Sequence, residues 1–429
     1  MSFLENFNTL EKERWGKNPE WIRSFRKTAL EEFERIGLPT KKSEEWKYTD
    51  ITEVNPFIDL VPLSSSPAFL DKTTDALLKL PSCHRLVFVN GLFSPNLSTP
   101  LSKNGIEIES LEKALRENNS ILKQYLGNTL TSKNNSFASL NSAFTEQGTF
   151  IYIPKKTVIN EAIYIVYLST HTKEYVHYPR NLIVLDTDAQ VKIIEDYTHT
   201  TENKYFTNTL THIHVQARAS CEHYKIEREN NNALHIATVE IDQQEYSSFT
   251  SHSFSFGAKL TRNTMTSRLN GKGAQCTFLG FYMGSDEQHI DNHTMIVHEK
   301  EECTSTEHYH GILDDKAHGV FNGKIYVAQH AQKTNSEQTN RTLLLSNDAR
   351  MDTKPQLEIF ADDVKCTHGA TVGKLDETSL YYLRSRGIAE EEAKKILTRA
   401  FAENLTSKIT IEPLKEHITT LVKNKLHKE

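Results

Sequence analysis

The central part of the chain alternates apolar and polar residues and shows almost no helical period. Between about residues 149 and 373 the alternation runs through FIYIP, AIYIVYL, NLIVLD, QVKIIEDY, LTHIHVQA and ALHIATVEI. In a β-strand every second side chain lies on the same face, so these segments predict strands. Strands that start with or just before a small residue recur at spacings of 27 to 30 residues, at Ala189, Ala219, Tyr246, Ala274 and Glu302. Such a period predicts a coiled sheet with one rung per repeat, and a parallel β-helix fits it better than a sandwich.

Helical patterns flank this region. After Pro19, apolar residues recur at three- and four-residue steps until Gly37, which predicts a helix. Asn90 and Gly91 stand between two apolar runs and predict a hairpin turn. The period becomes helical again from Asp376. We therefore predict three domains: a mainly helical domain with a short hairpin (1–148), the β-helix core (149–373) and a C-terminal helical domain (374–429).

The C-terminal helices allow two interpretations. Apolar residues share one helix face between Glu391 and Glu403, and again after Pro413. An amphipathic surface of this kind would serve as a docking site for a partner protein. The alternative is that the helices pack on one another and cap the solenoid. The sequence leaves both interpretations open.

Composition and charge disfavour several classes of protein. The 429 residues carry a net charge of -6 and no segment is dominated by basic residues, which argues against binding of nucleic acid. No apolar run approaches the roughly 20 residues of a membrane-spanning helix, and no secretory signal pattern is present, so we expect a cytoplasmic protein. The five cysteines show no CxxC spacing. This disfavours a disulfide framework or a zinc finger, and we expect free thiols in a reducing compartment.

The segment 354–388, KPQLEIFADDVKCTHGATVGKLDETSLYYLRSRGI, carries a candidate half-site. Cys366 and His368 are two residues apart on a predicted strand, so their side chains leave the same face. A thiolate and an imidazole are ligands suited to iron–sulfur or zinc chemistry, but two ligands do not close a site. Judged on the residues alone, a buried cysteine beside a hydrogen-bonded histidine is the more frequent arrangement.

Histidines are dense between residues 288 and 318. His308 and His310 share one strand face, as do His212 and His214. No Asp or Glu stands at a recognisable metal-ligand spacing, so we expect exposed rungs of the β-helix rather than an independent metal site. A stand-alone metalloprotein stays an alternative, and it would use these six residues: His289, His293, His298, His308, His310 and His318.

Other candidate groups are weaker. The three cysteines that begin successive rungs are expected to stack inward rather than to accept sulfur; they are Cys221, Cys276 and Cys303. A carbohydrate-active β-helix enzyme would need a cleft with paired carboxylates, and the sequence offers only Asp362 and Asp363. The chain contains no GxxxxGK[ST] motif, so we do not expect it to hydrolyse ATP by itself.

Four motifs connect the chain to a known family. They are EEWKYTD (44–50), VFVNGLFSPNLS (87–98), ADDVKCTHGAT (361–371) and YYLRSRGI (381–388). The motifs span nearly the whole chain and resemble the SufD family. Members of this family partner SufB and the ATPase SufC in the SUF scaffold for iron–sulfur cluster assembly. The Cys-Thr-His arrangement favours SufD over the related SufB.

The resemblance implies a fold, partners and a site. The fold is a right-handed parallel β-helix, and the role is that of a non-catalytic scaffold subunit that binds no nucleotide. The chain would pair with SufB through the end of the core, dock SufC through the C-terminal helices and form a homodimer when alone. A nascent iron–sulfur cluster would be shared transiently with SufB, with His368 as a ligand and Cys366 beside it at the interface. A neutral imidazole holds a cluster less tightly than a thiolate, which suits a scaffold that passes the cluster on.

Overall fold

The computed structural model describes residues 3–64, 75–126 and 135–426. The helices are α1 Phe3–Glu13, α2 Glu20–Ile36, α3 Asn55–Ile58, α4 Leu111–Arg116, α5 Ser120–Leu126, α6 Ser136–Ala143, α7 Glu377–Ser385, α8 Glu390–Thr406 and α9 Glu412–Leu426. The strands are β1 Cys83–Val89, β2 Leu92–Phe93, β3 Leu101–Lys103, β4 Ile106–Ser110, β5 Gly148–Ile153, β6 Ala162–Ser169, β7 Tyr175–His177, β8 Arg180–Leu185, β9 Gln190–His199, β10 Tyr205–Val215, β11 Ser220–Arg228, β12 Leu234–Gln243, β13 Ser248–Ser255, β14 Leu260–Leu269, β15 Gln275–Gly284, β16 His289–His298, β17 Thr304–Leu313, β18 His318–Val327, β19 Thr334–Leu344, β20 Arg350–Ile359 and β21 Val364–Gly373. Within the described residues, no helix is both long and apolar enough to cross a membrane.

The strands form two sheets that the chain visits alternately. Sheet A has the order β2-β1-β6-β9-β11-β13-β15-β17-β19-β21, and sheet B has the order β20-β18-β16-β14-β12-β10-β8-β5-β4-β3, with β7 beside β10. From β8 onward each strand pairs in parallel with the strand two positions later in the chain. The inner faces of both sheets enclose one apolar core. The predicted fold, a parallel β-helix core flanked by helices, is confirmed.

A recurring turn explains the period in the sequence. The turn that precedes each sheet A strand from β9 to β19 contains a residue with a left-handed backbone. The residue that follows it is small and buried. Asp188 has a φ of 61° before Ala189, and Arg218 has a φ of 58° before Ala219. The same arrangement recurs at Tyr246–Ser247, Gly273–Ala274, Glu302–Cys303 and Lys333–Thr334. A small side chain fits this position because the chain turns sharply while the residue is enclosed in the core.

The N-terminal region packs on the outer face of sheet B. Helix α2 follows Pro19 and ends before Gly37, whose φ is 67°, as the sequence predicted. The predicted Asn90-Gly91 turn is confirmed, because both residues have positive φ and join the antiparallel strands β1 and β2. The shared apolar cluster includes Phe7, Ala29, Phe33 and Phe137 from the helices and Val176, Phe206 and Ile236 from the strands.

Strands from the N-terminal region also join the solenoid. β1 pairs in parallel with β6, and β4 pairs antiparallel with β5. Both pairings place segments that precede residue 148 directly in the two sheets. The division of the chain at residues 148 and 373 therefore stays a prediction about domains rather than a visible break between them.

The C-terminal helices α8 and α9 lie along the outer face of sheet A. They share an apolar cluster with the sheet that includes Ala402, Leu405, Leu414, Ile418 and Val422 from the helices and Ile226, Phe254 and Phe281 from the strands. Tyr224 of β11 accepts a hydrogen bond from the backbone N–H of Thr410 at 3.0 Å. The helices therefore cover a side of the solenoid and do not cap its end. Helix α7 differs from them because none of its residues is buried.

The interior of the solenoid is not uniformly apolar. Four charged or titratable side chains, Glu195, His223, Lys225 and Glu227, are buried on the inner faces of β9 and β11. They are paired: His223 Nε2 lies 3.2 Å from Glu195 Oε1, and Lys225 contacts Glu227. Burial lowers the pKa of Lys225 to about 7. Buried charges are tolerated in a core where they neutralise one another and share hydrogen bonds.

Candidate functional site

The two ends of the solenoid are built differently. At the N-terminal end, the antiparallel pairs β1–β2 and β3–β4 finish the sheets. At the C-terminal end, β21 and β20 are the last strands of sheets A and B, and no strand of the described chain pairs with their outer edges. Most side chains of β21 are exposed. We call this surface, formed by β20 and β21, the open end; its unpaired backbone groups can accept another strand.

Cys366 lies on the inner face of β21 at the open end. It ends a column of register partners along sheet A that comprises Val191, Cys221, Phe249, Cys276, Ser305 and Ser336. Its half-buried side chain packs against the apolar core. Burial raises the pKa of the Cys366 thiol, so the thiol is protonated at neutral pH unless a metal or a cation lowers its pKa.

His368 lies two residues farther along the same face and is exposed. The structure therefore places both halves of the predicted half-site on one face of β21, at the edge where the described chain offers no further strand. Their roles as cluster ligand and interface residue stay predictions. Asp362 and Asp363 are exposed in the turn between β20 and β21.

Two polar residues that the sequence did not single out lie behind His368. Its register partner on β19 is Gln338, and the partner of Gln338 on β17 is Glu307. Both side chains are fully buried, and Gln338 Nε2 donates a hydrogen bond to Glu307 Oε2 at 2.7 Å. The inner face behind the candidate ligand is therefore polar, and it includes a carboxyl group in a dry environment.

This carboxyl group should make stability depend on pH. Burial raises the pKa of Glu307 from 4.5 to about 7. The folded chain therefore binds more protons than the unfolded chain between these two values, and its stability falls as the pH rises from about 4.5 to about 7. We expect Glu307→Gln, which resembles the protonated acid, to change the free energy of unfolding little at pH 5. At pH 8 it should raise that free energy by about 3 kcal/mol.

Urea denaturation of both proteins at the two pH values measures this difference. Glu337→Gln is the matched control, because Glu337 is exposed on the neighbouring position of β19. A stability gain for Glu307→Gln that is equal at pH 5 and pH 8 would contradict the assignment of the buried proton to Glu307.

The cysteines that begin successive rungs do stack inward, as predicted. Cys221 and Cys276 are buried in the column that ends at Cys366, and Cys303 is buried in the turn before β17. The Cys303 thiol donates a hydrogen bond to the carbonyl of Gly271 at 3.3 Å. Burial raises the pKa of Cys276 to about 12 and also raises the pKa of Cys221 and Cys303. These thiols are therefore protonated and shielded, which makes them poor nucleophiles.

The expectation that the histidines between residues 288 and 318 lie on exposed rungs is wrong. They are covered by other parts of the chain and divide among three places, because β16 and β18 belong to sheet B, β17 belongs to sheet A, and each strand has two faces. The groups are His289, His293 and His318 on the outer face of sheet B, His298 in the interior, and His308 and His310 on the outer face of sheet A. His289 bonds Thr49 at 2.9 Å, and the ring of Phe401 stacks on His310. Within the described residues, these histidines take part in no convergent set of three ligand groups.

Comparisons with known proteins agree with the resemblance seen in the motifs. Residues 167–401 match the family described as "SUF system FeS cluster assembly, SufBD core domain", and residues 2–165 match "SufBD protein N-terminal region". The chain is 32% identical to the iron–sulfur cluster assembly protein SufD of Escherichia coli, over 92% of this chain and 91% of that protein. It is 33% identical to a SufBD family protein of Synechocystis, over 90% and 87%. It is 26% identical to SufB of Bacillus subtilis, over 93% and 88%.

Proposed function

Because the chain belongs to the SufBD family of SUF-system iron–sulfur cluster assembly proteins, we propose that it is a non-catalytic scaffold subunit that builds a nascent cluster together with SufB and binds the ATPase SufC. The cluster is cargo, held transiently at the interface and then passed on. A cytoplasmic location belongs to the same proposal, and the five free cysteines suit a reducing compartment.

The open end of the solenoid is the observation that carries this proposal. It combines two unpaired strand edges with a histidine and a cysteine on one inner face. It also exposes apolar side chains, namely Ile359, Phe360 and Val372. A homologous solenoid with the same kind of end can continue both sheets, which would cover the edges and bury these side chains. The partner would then supply the cluster ligands that Cys366 and His368 do not provide.

The ligand set explains why the cluster would be shared. His368 offers one imidazole, and the thiol of Cys366 is half-buried with a raised pKa. An iron–sulfur cluster usually takes four protein ligands, most often thiolates. A chain that presents this incomplete set cannot hold a cluster tightly by itself, which is the property required of a scaffold subunit.

The C-terminal helices supply a second surface, for which we propose the ATPase as partner. Helices α8 and α9 are anchored to sheet A, whereas α7 projects Tyr381 and Tyr382 with 73% and 56% of their surfaces exposed. The Arg386 guanidinium lies 5.0 Å from the ring centroid of Tyr382. Exposed tyrosine and arginine side chains are frequent energetic anchors of protein interfaces. We therefore place the SufC contact on α7 and the adjoining surface of α8.

Co-expression of the tagged chain with the SufB and SufC proteins of the same genome tests the proposal. The wild-type chain should retain both partners, and alone it should form a dimer at micromolar concentration. Val372→Lys places a charge on the inner face of β21, where each copy or partner would have to bury it. We expect this variant to retain SufC, to lose most of the SufB, and to weaken the homodimer at least about tenfold.

Val158→Lys is the matched control, because Val158 is a valine outside the open end that is at least as exposed as Val372. It should behave like the wild type in affinity capture and in analytical ultracentrifugation. Retention of SufB by the Val372→Lys variant would contradict the proposed use of the open end. A wild-type chain that stays monomeric at micromolar concentration would contradict the homodimer.

A further inference from the structure

A second group of metal-ligating side chains lies on the outer face of sheet B. His212 and His214 alternate along β10 and face the same side, because Ile213 and Val215 between and beside them point into the core. Asp242 of β12 is the register partner of His214 and shares that face. The sequence showed the two histidines, but the carboxylate joins them only through the pairing of β10 with β12.

The three side chains converge closely. His212 Nε2 lies 2.8 Å from Asp242 Oδ2, and His214 Nδ1 lies 3.6 Å from the same oxygen. One ligand atom from each residue can be chosen such that all three lie within 4.8 Å of one another. Ligand atoms that surround one tetrahedral zinc-like ion are about 3.4 Å apart, since each bond is about 2.1 Å long. Small side-chain rotations therefore suffice to place an ion between them.

The neighbours of this group support a binding role. Asn270 Nδ2 donates to the second oxygen of Asp242 at 3.3 Å, which orients the carboxylate toward the imidazoles. The ring of Tyr125 packs against His214 at a centroid distance of 4.7 Å and forms one wall. The side chains of His212, His214 and Asp242 are 2%, 12% and 20% exposed, so the group is sheltered but open to solvent on the side of the carboxylate.

A purely structural histidine pair would look different, and the same sheet provides one for comparison. His318 Nε2 bonds Asp352 at 2.7 Å while its other nitrogen bonds His289 at 3.1 Å, so both ring nitrogens are used. By contrast, among the described residues His214 Nε2 is buried and has no hydrogen-bond partner. The other ring nitrogen, Nδ1, faces Asp242 at 3.6 Å from Oδ2, which is longer than a hydrogen bond, so its lone pair is available to an ion.

We propose that His212, His214 and Asp242 form a mononuclear binding site for a divalent first-row transition-metal ion. Two imidazoles and one carboxylate on one side of the ion leave coordination positions open, an arrangement suited to Fe²⁺, Co²⁺ or Zn²⁺.

This site does not depend on the proposed scaffold function. It lies on the outer face of β10 and β12, whereas His368 lies on the inner face of β21 in the other sheet. Within sheet B, the strands β14, β16 and β18 separate it from the open end. The two sites can therefore be tested separately.

Titration of the tag-free full-length chain with Co²⁺, after removal of bound metal with a chelator, tests the proposal. The visible absorption of bound Co²⁺ reports coordination by nitrogen and oxygen, and calorimetry with Zn²⁺ gives the stoichiometry. We expect one ion per chain at micromolar affinity. His214→Ala and the nearly isosteric Asp242→Asn should each weaken binding more than about tenfold.

Two control variants make the result specific. His318→Ala removes an imidazole from the same face of sheet B, and His330→Ala removes an exposed imidazole in a turn; both should leave Co²⁺ binding unchanged. Circular dichroism melting shows whether each variant is folded. If His214→Ala does not fold, the Co²⁺ affinity of the Asp242→Asn variant decides the test. Absence of stoichiometric binding to the wild type, or binding that survives both site variants, would overturn the proposal.

Discussion

Replacing His368 with alanine is expected to abolish cluster formation by the three-protein complex, or to lower it at least about tenfold, while folding and SufC binding stay intact. The imidazole is exposed on the last strand of sheet A, so its removal opens no cavity in the core. The α7 surface proposed for SufC is formed by different residues. The loss should therefore be confined to the site shared with SufB. Cluster assembly in cells and reconstitution of the purified complex measure it.

Variants of other histidines and cysteines separate a ligand role from a general effect. His330→Ala is the matched control, because His330 is an exposed histidine in a turn. Cys366→Ala should lower assembly less than His368→Ala. Cys221→Ala and Cys303→Ala should lower thermal stability more than assembly, because both thiols are buried. If the His368→Ala complex forms and assembles clusters normally, His368 is not a ligand.

The solenoid could be predicted from the sequence because its repeat is local. Each rung needs a left-handed residue followed by a small buried one, and this requirement is visible at positions such as Asp188–Ala189 and Gly273–Ala274. The Asn90-Gly91 turn is equally local, since two adjacent residues determine its backbone conformation. The shared face of Cys366 and His368 follows from the two-residue period of a strand alone.

The sequence did not predict which side chains of a strand point into the solenoid and which point outward. In β11 the apolar residues Tyr224 and Ile226 suggest the inner face, yet they point outward and are covered by α8 and α9. The residues that alternate with them, including Lys225 and Glu227, point inward and form ion pairs. Both faces of the strand are buried, so the contrast between apolar and polar positions does not distinguish inside from outside.

Contacts between residues on neighbouring rungs could not be predicted from the sequence either. Gln338 and Glu307 lie behind His368, and Asp242 joins His214, because of strand register between segments about 30 residues apart. A shift of one residue in either register would move each of these side chains to the opposite face. His289 and His293 are covered for a related reason, since the N-terminal segment reaches across sheet B to residues more than two hundred positions later.

That long-range contact leads to the second large effect that we expect. Asp291 of β16 is fully buried and contacts Arg262 of β14, and Thr49 donates a hydrogen bond to it at 2.5 Å. The Arg262 guanidinium also lies 3.8 Å from the ring centroid of Trp46. Asp291 therefore connects the segment EEWKYTD to the solenoid. Although burial opposes it, the charge of Arg262 holds the pKa of Asp291 well below its ordinary range.

Asp291→Ala is expected to lower the free energy of unfolding by about 3–5 kcal/mol, because it leaves the Arg262 guanidinium buried without a countercharge. Since the folded-state pKa of Asp291 is depressed, its stabilising effect is present at neutral pH and is lost as the pH falls below about 4. Urea denaturation measures the change, and hydrogen exchange of residues 44–50 should increase in the variant.

The double variant Asp291→Ala, Arg262→Met tests whether the unpaired charge of Arg262 causes the loss of stability. Removing both charges should recover part of the lost stability, because an apolar side chain tolerates the buried position that an unpaired guanidinium does not. Glu45→Ala is the control, since the Glu45 side chain is 66% exposed and its ion pair with His293 should contribute less than about 1 kcal/mol. A double variant as unstable as Asp291→Ala would mean that the hydrogen bond that Asp291 accepts from Thr49, and not neutralisation of Arg262, holds the N-terminal segment on sheet B.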